Sequence, residues 1–264
     1  MIFQKYASFY DLLYSDKQYE KECDFITKIL NEIAPKAKKI LELGCGTGKH
    51  ARLLAKRGFQ IYGVEKSQDM IERGLANNKG SPINSYPSGG FFICQQGDAL
   101  TTSVGTCCDV ALSLFHVLSY QTEDSQIIAL LQNVNRHLNI GGFLILDFWY
   151  SPAVHEIVPE TRVKRVSNEI ISLTRIAEPN YSPHSNLIDV NYLTYEENKS
   201  SGKIRKSEEC HSMRAFDLNE IEEFARLCGF DLIRSAGWMG NNSVNTNTWS
   251  VYSILQKKNN EEII

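Results

Sequence analysis

One stretch limits the folds open to this chain: Ile40-Leu41-Glu42-Leu43-Gly44-Cys45-Gly46-Thr47-Gly48-Lys49-His50. Its opening apolar run reads as an interior parallel strand. The strand runs into glycines at alternate positions. These turn the backbone sharply and let it approach a ligand with no Cβ in the way. The residues that follow, Lys49 to Arg57, read as a helix whose positive N-terminal end faces the same spot. A dinucleotide turn of the nicotinamide type needs Gly-x-Gly-x-x-Gly. Counted from Gly44, its third glycine would fall on Lys49.

The same alternation continues downstream. Phe59–Glu65, Phe91–Gln95, Asp109–Leu114 and Phe143–Phe148 read as strands, which implies a parallel, doubly wound α/β sheet. A helix from about Asp16 to Ala34 precedes them and stops at Pro35. Ser67 can cap a helix through Met70 and Ile71, and Thr122 one through Ile127, Leu131 and Leu138 that Gly141-Gly142 would end. The Gly-, Ser-, Asn- and Pro-rich segment from Asn77 to Gly90 reads as a surface loop. After Trp149 the pattern changes. The β-rich runs Ile170–Ile176 and Leu187–Tyr195 point to an inserted antiparallel segment, a small lid or acceptor platform. Asp217-Leu218-Asn219-Glu220 is a capping box opening a helix that Gly229 ends. Asp231–Ala236 and Trp249–Leu255 would close the sheet, and the polar tail from Lys257 is expected to fray. The expected division is 1–150 as the core with an aromatic N-terminal lid, 151–216 as the insertion, and 217–256 as the returning helix and strands.

Charge and cysteine usage exclude some functions. The net charge is -3 and no long basic stripe appears, which disfavours nucleic acid. The seven cysteines show no Cys-x-x-Cys pair with metal spacing, and no secretory leader opens the chain. Reduced thiols, no metal and a cytoplasmic location are therefore expected. No apolar run nears the ~20 residues that cross a membrane.

The turn also carries a resemblance. Glu42-x-Gly44-x-Gly46-x-Gly48, with an acidic Glu65 closing the next strand, resembles motif I of the class I S-adenosylmethionine-dependent methyltransferases. The resemblance implies a seven-stranded Rossmann-like sheet and S-adenosylmethionine as cofactor, released as S-adenosylhomocysteine. It implies that Glu65 holds the ribose hydroxyls and that Asp98 and Ala99 contact the adenine. Cofactor contacts are further expected at Tyr14, Gly44, Cys45, Gly46, Gly48, Lys66, Met70 and Leu114. Tyr10-Asp11-x-x-Tyr14, the aromatic pair Phe115 and Tyr120, Asp147-Phe148-Trp149-Tyr150 and the inserted β segment are together similar to the bacterial nucleotide-linked amino-sugar N,N-dimethyltransferases. In that group the second tyrosine of the N-terminal motif, here Tyr14, lies near the cofactor. A histidine near the acceptor amine falls where this chain has Tyr120.

Methyl transfer from a sulfonium needs alignment and exclusion of water more than acid–base help, because the leaving group is neutral. His116, at the carboxyl end of the fourth strand, is placed to act as a base, with Tyr14 and Tyr120 beside it. Trp149, Tyr150, His211 and Arg214 are candidates for the acceptor side, Arg214 for an anionic group. The sequence shows no Lys–Asp or His–Glu base pair, which leans toward nitrogen over oxygen as nucleophile. The expected partner is a small-molecule amine such as an amino sugar or amino acid, with a homodimer open as an assembly. O-methyl transfer, an NAD-dependent oxidoreductase and a non-catalytic S-adenosylmethionine-binding module are the alternatives.

Overall fold

The computed structural model describes residues 7–76, 81 and 83–259. Seven strands of the central sheet lie in the order β4 (Phe91–Gln96), β2 (Gln60–Glu65), β1 (Lys39–Leu43), β5 (Cys108–Ser113), β6 (Leu138–Tyr150), β12 (Ser250–Lys257) and β11 (Phe230–Gly237). The first five run parallel, and β12 returns antiparallel to both β6 and β11. This is the doubly wound, Rossmann-like arrangement that the motif-I resemblance implies.

Alternation along each strand explains the apolar runs. On β6, Leu144 and Leu146 face one layer and Ile145 the other. The first layer holds α5 (Asp124–His137) and α7 (Leu218–Leu227), through Ile127, Leu131, Ile221 and Phe224. The second holds α2 (Tyr19–Ile33) and α3 (Lys49–Lys56), through Ile26, Leu30, Ala51 and Leu54.

Several local expectations need correction. The helix expected from Asp16 begins at Tyr19. The loop expected over 77–90 contains a short strand, β3 (Ile83–Ser85), paired antiparallel with β4; residues 77–80 and 82 of that loop lie outside the described residues. The cap of α5 is Glu123, whose capping box with Gln126 leaves Thr122 outside. Gly141-Gly142 do not end α5. They lie inside β6, where Gly141 takes a left-handed φ of 73° beside a register shift in the β5–β6 ladder. A helix absent from the sequence reading, α6 (Ser151–Ile157), follows β6 with Pro152 in its first turn. Ser67 does cap α4 (Gln68–Ala76), its Oγ accepting from Met70 N at 3.3 Å, and Asp217 and Glu220 form the expected box on α7.

The excursion after β6 builds an antiparallel sheet of β7 (Arg162–Ser167), β8 (Ile171–Asn180), β9 (Leu187–Asn198) and β10 (Ile204–Phe216). Its last strand rejoins the core in parallel with β6, Ala215 opposite Trp149 and Phe216 opposite Tyr150. At Trp149, β12 already holds one edge of β6, and β5 has left the other edge after Ser113. β10 therefore takes the edge that β5 vacates. The second sheet thus grows from the carboxyl end of the first, where open α/β sheets bind ligands. Helix α1 (Ala7–Leu13) bridges the two, packing Phe9 and Leu13 against Leu173. Tyr6, counted in the expected aromatic lid, lies outside the described residues.

Gly63 is the point of closest packing beneath the glycine turn. A Cβ there would lie 2.7 Å from Cys45 Sγ and 2.8 Å from the Phe92 ring. Gly63→Ala is expected to destabilise by about 1–3 kcal/mol. The check is a lower urea midpoint at unchanged m; an unchanged midpoint would show that this packing is soft.

Candidate active site

The turn after β1 depends on backbone that side chains avoid. Gly44 and Gly46 have φ of 61° and 57°. The turn is wedged beneath the segment after β5, since a Cβ on Gly44 would meet Val117 Cγ2 at 2.6 Å. Two carboxylates converge on it. Glu65, at the end of β2, accepts from Gly46 N at 2.8 Å through Oε2 and from Ser67 N at 2.8 Å through Oε1. Burial still raises its carboxyl above the usual range against these two bonds. Glu42, on β1, is deeper. Its Oε2 has no hydrogen-bond partner among the described residues, and Oε1 lies 4.0 Å from His50 Nδ1. Burial pushes its carboxyl up to about 8. His50 is itself held by Glu22, 2.7 Å from Nε2. Burial opposes ionisation of Glu22, but His50 and Lys17 together bring that carboxyl down to about 2. At the exposed rim Lys66 Nζ meets Asp98 at 2.8 Å. Leu100 N also donates to Asp98, and these bonds outweigh partial burial and lower the carboxyl.

Helix α1 is latched to the turn. Asp11 accepts from Thr47 Oγ1 at 3.0 Å and faces Lys49 Nζ at 3.2 Å. This brings Tyr14 over the carboxyl end of β5, its ring edge-on to Phe115 at 5.1 Å. Its phenol oxygen accepts from Arg175 Nη1 on β8 at 3.2 Å.

Two successive non-glycine residues beyond β5, Phe115 and His116, both have φ of 64°. Left-handed backbone costs such residues roughly 1–2 kcal/mol each, and such strain gathers at functional sites. It is held by Asp147 on β6, whose Oδ1 accepts from His116 N at 3.0 Å; Oδ2 lies 3.1 Å from His116 Nδ1 with no hydrogen bond between them. Burial holds the imidazole below its usual 6.5 despite the carboxylate beside it, and burial raises Asp147. The His116 ring stands 6.1 Å from Trp149.

The inserted sheet supplies a second imidazole. His211 Nδ1 is 2.9 Å from Tyr120 Oη, and its Nε2 is 3.2 Å from Glu209. Tyr192 stands edge-on to His211 at 4.7 Å, with the Arg175 guanidinium 5.0 Å from the Tyr192 ring centroid. Burial pushes the Tyr120 phenol well above its usual range, so it is a neutral hydroxyl at neutral pH.

The structure thus gathers Tyr14, His116, Tyr120, Trp149 and His211 around the carboxyl end of β5. Cys45, Met70 and Leu114 are buried near the turn, and Asn133 Nδ2 fixes the Ala99 carbonyl at 2.9 Å. Tyr150 and Arg214 lie elsewhere. Alternation along β6 turns Tyr150 toward the main core. Arg214 is taken up by Asp124 and Glu220 and stacks over Phe216 and Phe224, tying β10 to α5 and α7. The sequence reading missed Glu42, Asp147 and Glu209, and with them both carboxylate–imidazole pairs. Glu209 and His211 are two apart on one strand and so share a face, a signal open to sequence. The His116–Asp147 pair spans separate strands and has no local signature.

Comparison with known proteins gives concordant matches. Residues 40–142 match the family model described as a methyltransferase domain. YqeM of Bacillus subtilis (strain 168), a protein provisionally named a methyltransferase, is 28% identical over 240 residues, 89% of this chain and 88% of the relative. The dTDP-3-amino-3,6-dideoxy-alpha-D-glucopyranose N,N-dimethyltransferase of Streptomyces fradiae is 22% identical over 86% of this chain and 84% of its own. Among solved structures, an S-adenosylmethionine-dependent methyltransferase from Clostridium acetobutylicum ATCC 824 superposes with a TM-score of 0.79 at 17% identity, covering 98% of this chain and 100% of that one. No helix among the described residues is long and apolar enough to cross a membrane.

Proposed function

We propose, from the premise that this chain is a class I S-adenosylmethionine-dependent methyltransferase, that it methylates an amine of a small molecule, with an amino sugar as the favoured class. The observation that carries the acceptor reading is the set of aromatic rings, Tyr14, Phe115, Trp149 and Tyr192, around His116 and His211. The carboxylates beside these imidazoles, Asp147 and Glu209, take away the sequence argument for nitrogen that rested on the lack of such a pair. Aromatic faces attract an approaching ammonium, and a paired imidazole can take the proton that frees its lone pair. The amino-sugar dimethyltransferase that matches most of the chain supports the same class.

The residues around the turn fit the cofactor. Glu65, already oriented by two N–H donors, suits a ribose diol. The orphaned Oε2 of Glu42 suits the ammonium of an amino-acid tail. Tyr14, Gly44, Cys45, Gly46, Gly48, Lys66, Met70, Asp98, Ala99 and Leu114 complete the proposed surround. The bound sulfonium supplies an electrophilic methyl group and a neutral leaving group. The chain's own part is to orient the acceptor between Trp149, Tyr120 and Tyr14, to exclude water, and to receive a proton at His116. Asp147 accepts from His116 N and so holds the backbone that presents the ring, and its carboxylate 3.1 Å from Nδ1 favours the imidazolium that forms.

O-methyl transfer remains the second reading, because His116–Asp147 is the kind of base that a hydroxyl nucleophile requires. The deciding experiment incubates the protein and S-adenosylmethionine with amino sugars, amino acids, phenols and hydroxy acids, and maps each product by mass spectrometry. Methyl on nitrogen supports the proposal. Methyl only on oxygen overturns the acceptor class. Cofactor binding with no product across the panel overturns catalysis.

The state of Glu42 gives a further expectation. With its carboxyl near 8 against an ordinary 4.5, the folded protein keeps a proton that the unfolded chain has lost. Its contribution to stability therefore falls as pH rises between those values. An ammonium placed on that oxygen expels the proton. Calorimetric titration with S-adenosylhomocysteine at pH 7 should release about one proton, read from buffers of different ionisation enthalpy. Glu42→Gln should release none; equal release by both proteins would sink the assignment.

A further inference from the structure

Two thiols meet beside the glycine turn. Cys45 lies between Gly44 and Gly46 and is buried, whereas Cys94 on β4 is half-buried. Their Sγ atoms are 3.4 Å apart. β2 runs between β1, whose following turn carries Cys45, and β4, which carries Cys94, and Cys94 pairs with Gly63 on β2. The contact exists because Gly63 has no side chain: its Cβ would stand 2.7 Å from Cys45 Sγ. Cys94 Sγ also approaches the Gln95 carbonyl at 4.0 Å, as the buried Cys23 and Cys228 approach backbone carbonyls, so the nearby second sulfur is what sets the Cys45–Cys94 pair apart. Cys94 also lines a small cavity with Gly46, Thr47, Arg52 and Phe92.

We infer that Cys45 and Cys94 form a site of reversible oxidation, closed to a disulfide by a hydroperoxide, and that this bond disables the cofactor turn. The second half of the inference rests on the reading of the turn as the S-adenosylmethionine site. Cys94 is the more accessible sulfur and reacts first. Its thiolate attacks the peroxide oxygen, the O–O bond breaks, and a sulfenic acid and one water (an alcohol for an alkyl hydroperoxide) are formed. Cys45 then attacks the Cys94 sulfur. The S–O bond breaks, the leaving hydroxide takes the Cys45 proton as a second water, and the disulfide forms. The two thiols supply the two electrons that reduce the peroxide. A dithiol reverses the change by exchange.

A disulfide of about 2.05 Å requires the sulfurs to close by roughly 1.3 Å from their present separation. Cys94 is held in the β2–β4 ladder opposite Gly63. The turn is the more yielding partner, because left-handed glycines flank Cys45. Closure therefore draws the turn toward β4 and pulls Gly46 N from Glu65, 2.8 Å away.

The test treats reduced protein with hydrogen peroxide, then maps peptides and titrates S-adenosylhomocysteine. The expected result is a Cys45–Cys94 linked peptide, binding weakened at least about tenfold, and recovery in dithiothreitol. Cys94→Ser and Cys94→Ala should bind normally when reduced and keep that affinity after peroxide. Separate free thiols, or a linked protein that binds as well as the reduced one, would overturn the inference while leaving the cofactor reading intact. Reduced protein that is folded yet fails to bind would overturn that reading and the regulatory half of the inference together, and the linked peptide would still report on the oxidation itself.

Discussion

Glu65→Gln is expected to weaken S-adenosylhomocysteine binding at least about 100-fold, with the fold unchanged by circular dichroism. The carboxylate has two oxygens, and each is already aligned by a backbone N–H. A charged acceptor of this kind contributes about 1.5–3 kcal/mol per hydrogen bond, and a ribose diol offers two. The amide keeps one acceptor and presents an NH2 group to the other N–H, so it also disturbs Gly46 or Ser67. Calorimetric titration of both proteins, with NAD as a control, measures the loss. Affinity within about threefold of the parent would show that this carboxylate supports the turn and does not hold the ribose.

His116→Asn should lower kcat for an amine acceptor by about 100-fold and leave the cofactor affinity within a few-fold, since a positioned base contributes about 10²–10⁴. Asparagine is chosen because it tolerates the left-handed backbone at this position, so a loss of activity is not a loss of the turn. Asp147→Asn should fall between the two, because its Oδ can still accept from His116 N while the carboxylate beside Nδ1 is gone. For a hydroxyl acceptor His116→Asn should abolish turnover. The pH profile is a second readout. Burial lowers the imidazole below 6.5, so it stays neutral, and competent as a base, as pH falls past that value. The acid limb belonging to the enzyme should lie below 6.5. In the same window the unfolded chain binds a proton that the folded one refuses, so stability should drop as pH falls through it. That drop should be absent in His116→Asn. An activity unaffected by His116→Asn would remove the imidazole from the mechanism.

The sheet order and the glycine turn were legible because they are written in local pattern. Apolar runs buried on both faces, alternate glycines and a closing Glu65 need no distant partner to be recognised. The capping boxes show the limits of that reading. Asp217 with Glu220 was visible, yet Thr122 drew attention from Glu123, one residue on, because hydroxyl caps are commoner than carboxylate boxes of this type. Gly141-Gly142 read as a helix stop but absorb an irregularity in a strand, a difference set by the neighbouring β5. The side proposed for the acceptor was least legible. Asp147 looked like one residue in an aromatic run, and only the register of β5 against β6 makes it the partner of His116. Arg214 looked available to a ligand until the fold brought Asp124 from α5 and Glu220 from α7 to it. Pairings between elements far apart in sequence have no period to read.

The junction between the two sheets has a consequence for how such proteins diversify. The excursion leaves the core at Tyr150 and returns at Phe216, and these two residues lie opposite each other in a parallel ladder. Entry and exit are one strand spacing apart, so replacing everything between them leaves the geometry that the core must close unchanged. The excursion is a cassette. Exchanging it between relatives, with Tyr150 and Phe216 kept as the seams, should leave the core sheet and the glycine turn folded as they are, and on the proposed function should change which acceptor is methylated.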